Sequence, residues 1–159
     1  MRSNECSTTT AAKRRRKKLI IRHIRKTDQM CTAQIDQDCF SSYPEDFKRT
    51  EDERIIVAVQ AKMIVGYVRF SIEEENIYIA NVCTAEDARG EKICQKMVRW
   101  LTKKLPYYKR NKITLIAANE TAARCYEKVG FKDDGGSYMV YTKSVKARKK
   151  RKKSKKASS

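Results

Sequence analysis

Histidine, proline and glycine are scarce in this chain: of 159 residues, His23 is the one histidine, two are proline and five are glycine. The six cysteines, at 6, 31, 39, 83, 94 and 125, form no CxxC pair. Neither of the usual zinc-ligand clusters is therefore available, and no metal is expected. No run approaches the roughly 18 apolar residues of a membrane span. The N-terminus also lacks the apolar core of a signal peptide. These absences predict a soluble, intracellular protein with no membrane contact. Its cysteines are expected to be reduced and mostly buried as small hydrophobes, with Cys83, Cys94 and Cys125 also open to a functional role.

Acid is missing where base is most abundant. Residues 144–159 carry nine Lys/Arg and no Asp or Glu, and residues 1–18 carry seven Lys/Arg against Glu5 alone. The net charge of +18 divides into +6 for residues 1–18, +3 for residues 19–143 and +9 for residues 144–159. A near-neutral centre with two cationic arms describes one folded unit with polyelectrolyte tails, and the length suits a single domain. The expected organisation is a disordered basic tail over 1–18, a folded domain over 19–143 and a second disordered basic tail over 144–159, because neither tail can bury an apolar face. The run Lys146 to Lys156 has no aromatic residue for base stacking. Any nucleic-acid affinity is then electrostatic and indifferent to sequence. This run and Lys13 to Lys18 both read as nuclear import signals. They predict a nuclear location, with the cytoplasm as the alternative, and an import receptor or nucleic acid as partner.

Between the tails, hydrophobic periodicity organises the chain. The run Leu19 to Ile24 reads as a strand, and Thr27 and Asp28 open a helix through Phe40. Pro44, Glu45 and Asp46 start a short second helix. Arg54–Gln60, Lys62–Ile72 and Asn76–Thr84 are rich in β-formers and separated by short polar links, which makes them antiparallel neighbours. In the middle one, Ile64, Val68, Phe70 and Ile72 alternate with Met63, Val65 and Tyr67, so it has apolar matter on both faces. After Gly90 the period becomes helical, with Ile93, Met97, Trp100 and Leu101 in one stripe and Pro106 beyond its end. A strand over Ile113 to Ala117, a helix capped by Asn119 and ended by Gly130, and two strands around the Asp133–Gly136 turn complete the domain. The fold class is α/β (α+β): a mixed, mostly antiparallel sheet of about seven strands flanked by about four helices.

Two segments carry a resemblance. Asn119-x-x-Ala122-x-x-x-Tyr126-x-x-x-Gly130-Phe131 resembles, at full spacing, the N-x-x-A-x-x-x-Y-x-x-x-G-F segment of the GNAT superfamily of acetyl-CoA-dependent N-acetyltransferases. Asn81-Val82-Cys83-Thr84 followed by Arg89-Gly90-Glu91-Lys92-Ile93-Cys94 is similar to that family's cofactor strand and its Q/R-x-x-G-x-G/A loop, with Lys92 and Cys94 at the two glycine-type positions. The order of elements from Leu19 to Lys143 matches the family as well. The resemblance implies an enzyme that binds acetyl-CoA as cosubstrate and passes its acetyl group to a primary amine. By the same resemblance Val82, Cys83 and Thr84 offer backbone groups to the pantetheine arm. Arg89, Gly90, Glu91, Lys92, Ile93, Cys94 and Gln95 form the phosphate loop and opening helix turn, where unpaired N–H groups and the dipole suit a pyrophosphate. Asn119 and Ala122 flank the cofactor arm, and Tyr126 stands where a phenol returns a proton to the departing thiolate.

No carboxylate lies in residues 77–84 or 112–118, so the general base is open among Glu73, Glu74, Glu75, His23 and solvent. Between Asp28 and Glu53, eight acids face only Lys48 and Arg49, which suggests a cationic acceptor: a protein lysine or N-terminus, or a polyamine. The alternative is a catalytically degenerate protein of this fold that serves as a nucleic-acid-associated or protein-interaction module.

Overall fold

The computed structural model describes Cys6, residues 9–40 and residues 52–143. Seven strands form one sheet: β1 (Ile20–His23), β2 (Glu53–Gln60), β3 (Met63–Ile72), β4 (Ile77–Thr84), β5 (Lys112–Leu115), β6 (Lys132–Asp133) and β7 (Met139–Thr142). Their spatial order is β1-β2-β3-β4-β5-β7-β6. Only β4 and β5 pair in parallel, because the chain between them crosses over through a helix. The helices are α1 (Ala11–Arg15), α2 (Gln29–Phe40), α3 (Ile93–Lys104) and α4 (Glu120–Val129). The helix expected from Pro44 and the tail from residue 144 lie outside the described residues.

Burial of apolar side chains on both sheet faces holds the domain together. On one face Val68, Phe70, Ile77, Ile79 and Leu115 pack against Ile93, Met97, Val98 and Leu101 of α3 and Tyr126 of α4. On the other, Ile55, Val57, Tyr67 and Cys83 pack beneath Ile35 of α2. Each fully buried aliphatic or aromatic side chain contributes about 1.5–3 kcal/mol. The strict alternation expected in the central strand fails at one point. Ala58 pairs with Gly66 and Val59 with Ile64, so Val65 is an extra residue. Val65 therefore joins the α3-side core while Tyr67 stays with the α2 side. Next to this bulge a Cβ on Gly66 would meet Met97 Cε and the Cys83 carbonyl oxygen, each at 2.9 Å. Only glycine lets β3, β4 and α3 approach this closely.

Two expectations are corrected. The cysteines are not all reduced: Cys6 bonds to Cys31 and Cys39 to Cys83, leaving Cys94 and Cys125 free. Sequence spacing could not reveal this, because partners 25 and 44 residues apart meet only after α2 packs on the sheet. The basic N-terminal segment is also not a free arm. Thr10 caps α1, and Arg14 is completely buried. The Arg14 guanidinium donates to both Glu91 carboxylate oxygens (3.0 and 2.7 Å), to Gln60 Oε1 (2.7 Å) and to the Asp87 carbonyl (3.2 Å). A planar guanidinium matches a carboxylate in this two-pronged way. The charge run thus concealed one cation that folds inward.

The hydrogen bond from Arg14 is the main reason that the Glu91 carboxyl is held below its ordinary range, with the charges of Arg14 and Arg15 adding to it. A depressed carboxylate contributes stability above its unfolded value of about 4.3 and loses it as pH falls through the lower folded value. Replacing Arg14 by Met is expected to cost about 1–3 kcal/mol at pH 7 in urea unfolding. The variant should also lose less further stability than the wild type between pH 5 and pH 3, and equal acid sensitivity in both would show that the pair contributes nothing.

Candidate active site

The site begins where β4 stops pairing with β5. Ile77, Tyr78 and Ile79 face Ile113, Thr114 and Leu115, and β5 ends there. On its other side β4 stays paired to β3, but Arg69 meets Asn81 while Phe70 meets Ile79, so Ala80 is an extra residue that bends the strand. From Ala80 to Thr84, β4 therefore runs on without its β5 neighbour. Backbone polar groups at such a point need a partner, and an extended ligand arm bearing amides can supply one. Val82 and Thr84 are half-buried along this stretch, and the side chain of Cys83 is committed to its disulfide with Cys39.

Beyond Thr84 a 3₁₀ turn, Glu86–Ala88, leads into residues 89–92 and then α3. Gly90 has φ +86° and Lys92 has φ +61°, so the chain reverses through two left-handed residues before the helix. No side chain caps α3, and its first internal bond runs from the Lys96 N–H to the Lys92 carbonyl. The N–H groups of Ile93, Cys94 and Gln95 therefore precede the helical ladder, where an anion is favoured. They border a groove of about 480 Å³ closed on its far side by α4 through Thr121, Arg124, Cys125 and Lys128. Among the described residues four cations, Arg89, Lys92, Arg124 and Lys128, line this groove, and no carboxylate does. The arrangement suits a diphosphate at the helix end, with an amide-bearing arm continuing along β4.

Comparisons with known proteins agree with this geometry. A family model described as Acetyltransferase (GNAT) domain matches residues 51–133, just over half of the chain. The chain belongs to the GNAT acetyltransferases. This is a family of acetyl-CoA-dependent N-acetyltransferases, and among the described residues no group of three or more His, Cys, Asp or Glu side chains is placed to hold a metal ion. The same fold is seen in Arabidopsis thaliana NAA60 in complex with a bisubstrate analogue, with 18% identity over 80% of this chain and 99% of that one and a TM-score of 0.66. It is seen in the ribosomal-protein-S18-alanine N-acetyltransferase of Escherichia coli, with 14% identity, 83% and 98% coverage and a TM-score of 0.69. A GNAT acetyltransferase of Brucella melitensis in complex with acetyl-CoA shares 17% identity over 79% and 88%, with a TM-score of 0.60. Among curated protein sequences no match is found. No described helix is long and apolar enough to cross a membrane.

Within this GNAT domain the expected site residues fall into two groups. Thr84, Arg89, Gly90, Lys92, Ile93, Cys94 and Gln95 line the groove. Glu91 turns away to hold Arg14 and so fixes the loop from behind. Asn119 caps α4, its Oδ1 accepting from the Ala122 N–H at 2.8 Å, and Ala122 packs on the core. Tyr126 is 6% exposed against Phe131, with ring centroids 5.9 Å apart. Burial is the main cause that pushes its phenol well above the ordinary value, with the neighbouring Cys94 and Cys125 adding to the rise. It is therefore fully protonated at neutral pH. Arg124 and Lys128 are further groove residues, and the one trace of them in the sequence is their i, i+4 placement on a shared face of α4.

The candidate bases do not reach the groove. Glu73 borders a different, polar depression with Asn76, Lys112 and Asp134, at the opposite end of β4 from Thr84. His23 meets the Tyr108 hydroxyl through Nε2 at 3.2 Å and packs edge-on to Trp100. Several acids read as acceptor-facing are also engaged inside the fold. Asp28 pairs with Arg22 at 2.6 Å, Glu53 pairs with Arg69, and the buried Asp36 accepts a hydrogen bond from the Tyr67 hydroxyl. Asp38 and Asp52 are exposed, and Glu45, Asp46 and Glu51 lie outside the described residues.

Lys92 holds the left-handed conformation that a glycine would take at little cost; for other residues it costs about 1–2 kcal/mol. Lys92→Gly is expected to leave unfolding free energy within about 1 kcal/mol of wild type, because relief of strain offsets added chain entropy. Acetyl-CoA affinity should meanwhile fall about three- to tenfold as a charge-assisted contact is lost. Calorimetric titration of both proteins checks this, and unchanged affinity would remove Lys92 from phosphate binding.

Proposed function

We propose that this GNAT enzyme acetylates a cationic primary amine, a protein lysine or N-terminus or a polyamine, by direct attack on the thioester with Tyr126 as general acid. The observation that carries this reading is the stretch Ala80–Thr84 leaving β5 directly beside a cationic groove at the open end of α3. Acetyl-CoA supplies an activated acyl group, and its diphosphate and amide arm match these two features in order. Lys92 accommodates its glycine-type position by adopting a positive φ. That favours a working cofactor loop over the alternative of a catalytically degenerate binding module.

In the proposed reaction, β4 backbone groups beyond Ile79 orient the arm and stabilise charge growing on the thioester oxygen. The neutral amine forms its bond to the acyl carbon as the carbon–sulfur bond breaks. Tyr126, protonated and shielded from water, gives its proton to the departing sulfur and recovers one from the product ammonium through solvent. The disulfide Cys39–Cys83 anchors the end of α2 to this strand. Exposed Asp38 and Asp52 support a cationic acceptor, as does the likeness to the ribosomal-protein-S18-alanine N-acetyltransferase of Escherichia coli.

A thermal shift with acetyl-CoA, followed by initial rates over cationic and neutral amines, tests the reading. Saturating acetyl-CoA should raise the melting temperature, and Tyr126→Phe should lower kcat about 10- to 100-fold with little change in acetyl-CoA affinity. Equal rates on neutral and cationic amines would remove the acceptor assignment, and an unchanged kcat would remove Tyr126 as the acid.

For location we propose that Lys146 to Lys156 acts as a nuclear address or polyanion contact. The run at Lys13 to Lys18 is a weaker candidate, since Arg14 within it is clasped by Glu91. The two disulfides favour an oxidising compartment instead. A reporter fused to residues 144–159 should accumulate in nuclei, and a cytoplasmic reporter would discard the nuclear proposal.

A further inference from the structure

Two thiols remain once the disulfides are formed, and they touch. Cys94 Sγ and Cys125 Sγ are 2.7 Å apart, joining the first turn of α3 to the middle of α4. Both are partly exposed, and both line the groove assigned to the cofactor diphosphate. A disulfide needs about 2.05 Å between sulfurs, so closure asks for a small further approach of the two sulfurs. α3 and α4 pack on the same core, and Cys94 and Cys125 both lie against it. The chain also carries two formed disulfides elsewhere, so cysteine oxidation is part of its chemistry.

We propose that Cys94 and Cys125 form a reversible disulfide-exchange site in the cofactor groove, reactive towards small molecular disulfides and shielded when acetyl-CoA is bound. The cross-link itself stands independently of the acetyltransferase reading; only the shielding rests on that reading.

The groups around the pair define which sulfur attacks. The hydrogen bond with Cys94 lowers the Cys125 thiol below its ordinary value, and the nearby Lys128 and Arg99 charges act in the same direction. The same contact, with burial, pushes Cys94 up. With the Lys128 and Arg99 charges beside it, Cys125 takes the attacking role in the proposed exchange and Cys94 the resolving one. With glutathione disulfide as oxidant, the Cys125 thiolate attacks one glutathione sulfur, the glutathione S–S bond breaks, and one glutathione leaves as thiolate. Cys94 then loses its proton, attacks the Cys125 sulfur and expels the second glutathione. Two protein thiols are oxidised to one disulfide, and glutathione disulfide is reduced to two glutathiones. The glutathione formed can reverse both steps.

The geometry also explains why the cofactor should interfere. The attacking sulfur is reached through a groove whose opposite wall is the loop of Gly90 and Lys92. A ligand seated on the α3 N-terminus fills the path by which a second disulfide would arrive. Acetyl-CoA is the suitable probe, because its sulfur is acylated and cannot itself enter thiol–disulfide exchange.

The test uses the full chain in graded glutathione buffers, quenched with an alkylating agent and mapped by peptide mass spectrometry. A Cys94–Cys125 cross-link should appear as glutathione disulfide increases and vanish as glutathione increases, while Cys6–Cys31 and Cys39–Cys83 persist. Acetyl-CoA at ten times its dissociation constant should slow cross-linking about tenfold, in proportion to the fraction of empty sites. Persistence of two alkylatable thiols, or of a stable glutathione adduct on either cysteine, would overturn the exchange site. Cross-linking at the same rate with and without acetyl-CoA, in protein whose melting temperature acetyl-CoA raises, would overturn the shielding. An absent thermal shift would instead locate the failure in the functional reading. Cys125→Ser should abolish the cross-link, and because the wild-type map alone decides the matter, poor folding of that variant leaves the answer intact.

Discussion

The feature on which the site depends is an interruption in hydrogen bonding. A strand inside a sheet normally satisfies its backbone on both edges, and an unpaired edge in a partly buried position costs free energy until something binds there. Here the extra residue Ala80 bends β4 while β5 ends at Leu115, so the strand keeps β3 and loses β5. That deficiency is what an acyl donor with an amide-bearing arm can repair. The rest of the domain holds the interrupted strand in place without filling the gap. Gly66 lets the Cys83 carbonyl come close, Met97 packs behind it, and the Cys39–Cys83 bond ties the strand to α2.

Charge is arranged by the same logic. The groove gathers Arg89, Lys92, Arg124 and Lys128 around a helix terminus that favours anions. Like charges gathered in one groove repel one another, so an anion seated there would relieve that repulsion. Glu91, the one acid inside the loop, is removed from the groove by its bond to Arg14. The α1 segment thus braces the loop of residues 89–92 and withdraws a carboxylate that would oppose an anion in the groove.

Much of the fold was legible because local signals agreed with the final packing. The helical stripe of Ile93, Met97 and Leu101, the Asn119 cap and the Gly130 terminus all lie where their patterns indicate. The alternation of β3 misled at Val65, since a bulge adds a residue without leaving a mark in hydrophobicity. Arg14 misled for a related reason: one inward-folding cation in a run of six looks like its neighbours until Glu91, 77 positions later, is brought beside it. His23 and Glu73 have the chemistry of a base, and only the folded structure shows that neither lines the cationic groove.

The sequence by itself determined the fold class and the family, because these rest on short-range spacing: a residue type every third or fourth position, a cap, a glycine after a helix. Only the tertiary structure decided which cysteines bond, which acids are already paired, and that Arg124 and Lys128 join Arg89 and Lys92 in one groove. Those facts depend on distances between segments far apart in the chain, and such distances are set by how two sheet faces and four helices bury their apolar surfaces, which no local pattern records. The pairing of Cys94 with Cys125 belongs to the same class. Thirty-one positions separate them along the chain, and 2.7 Å separate their sulfurs once α3 and α4 share a core.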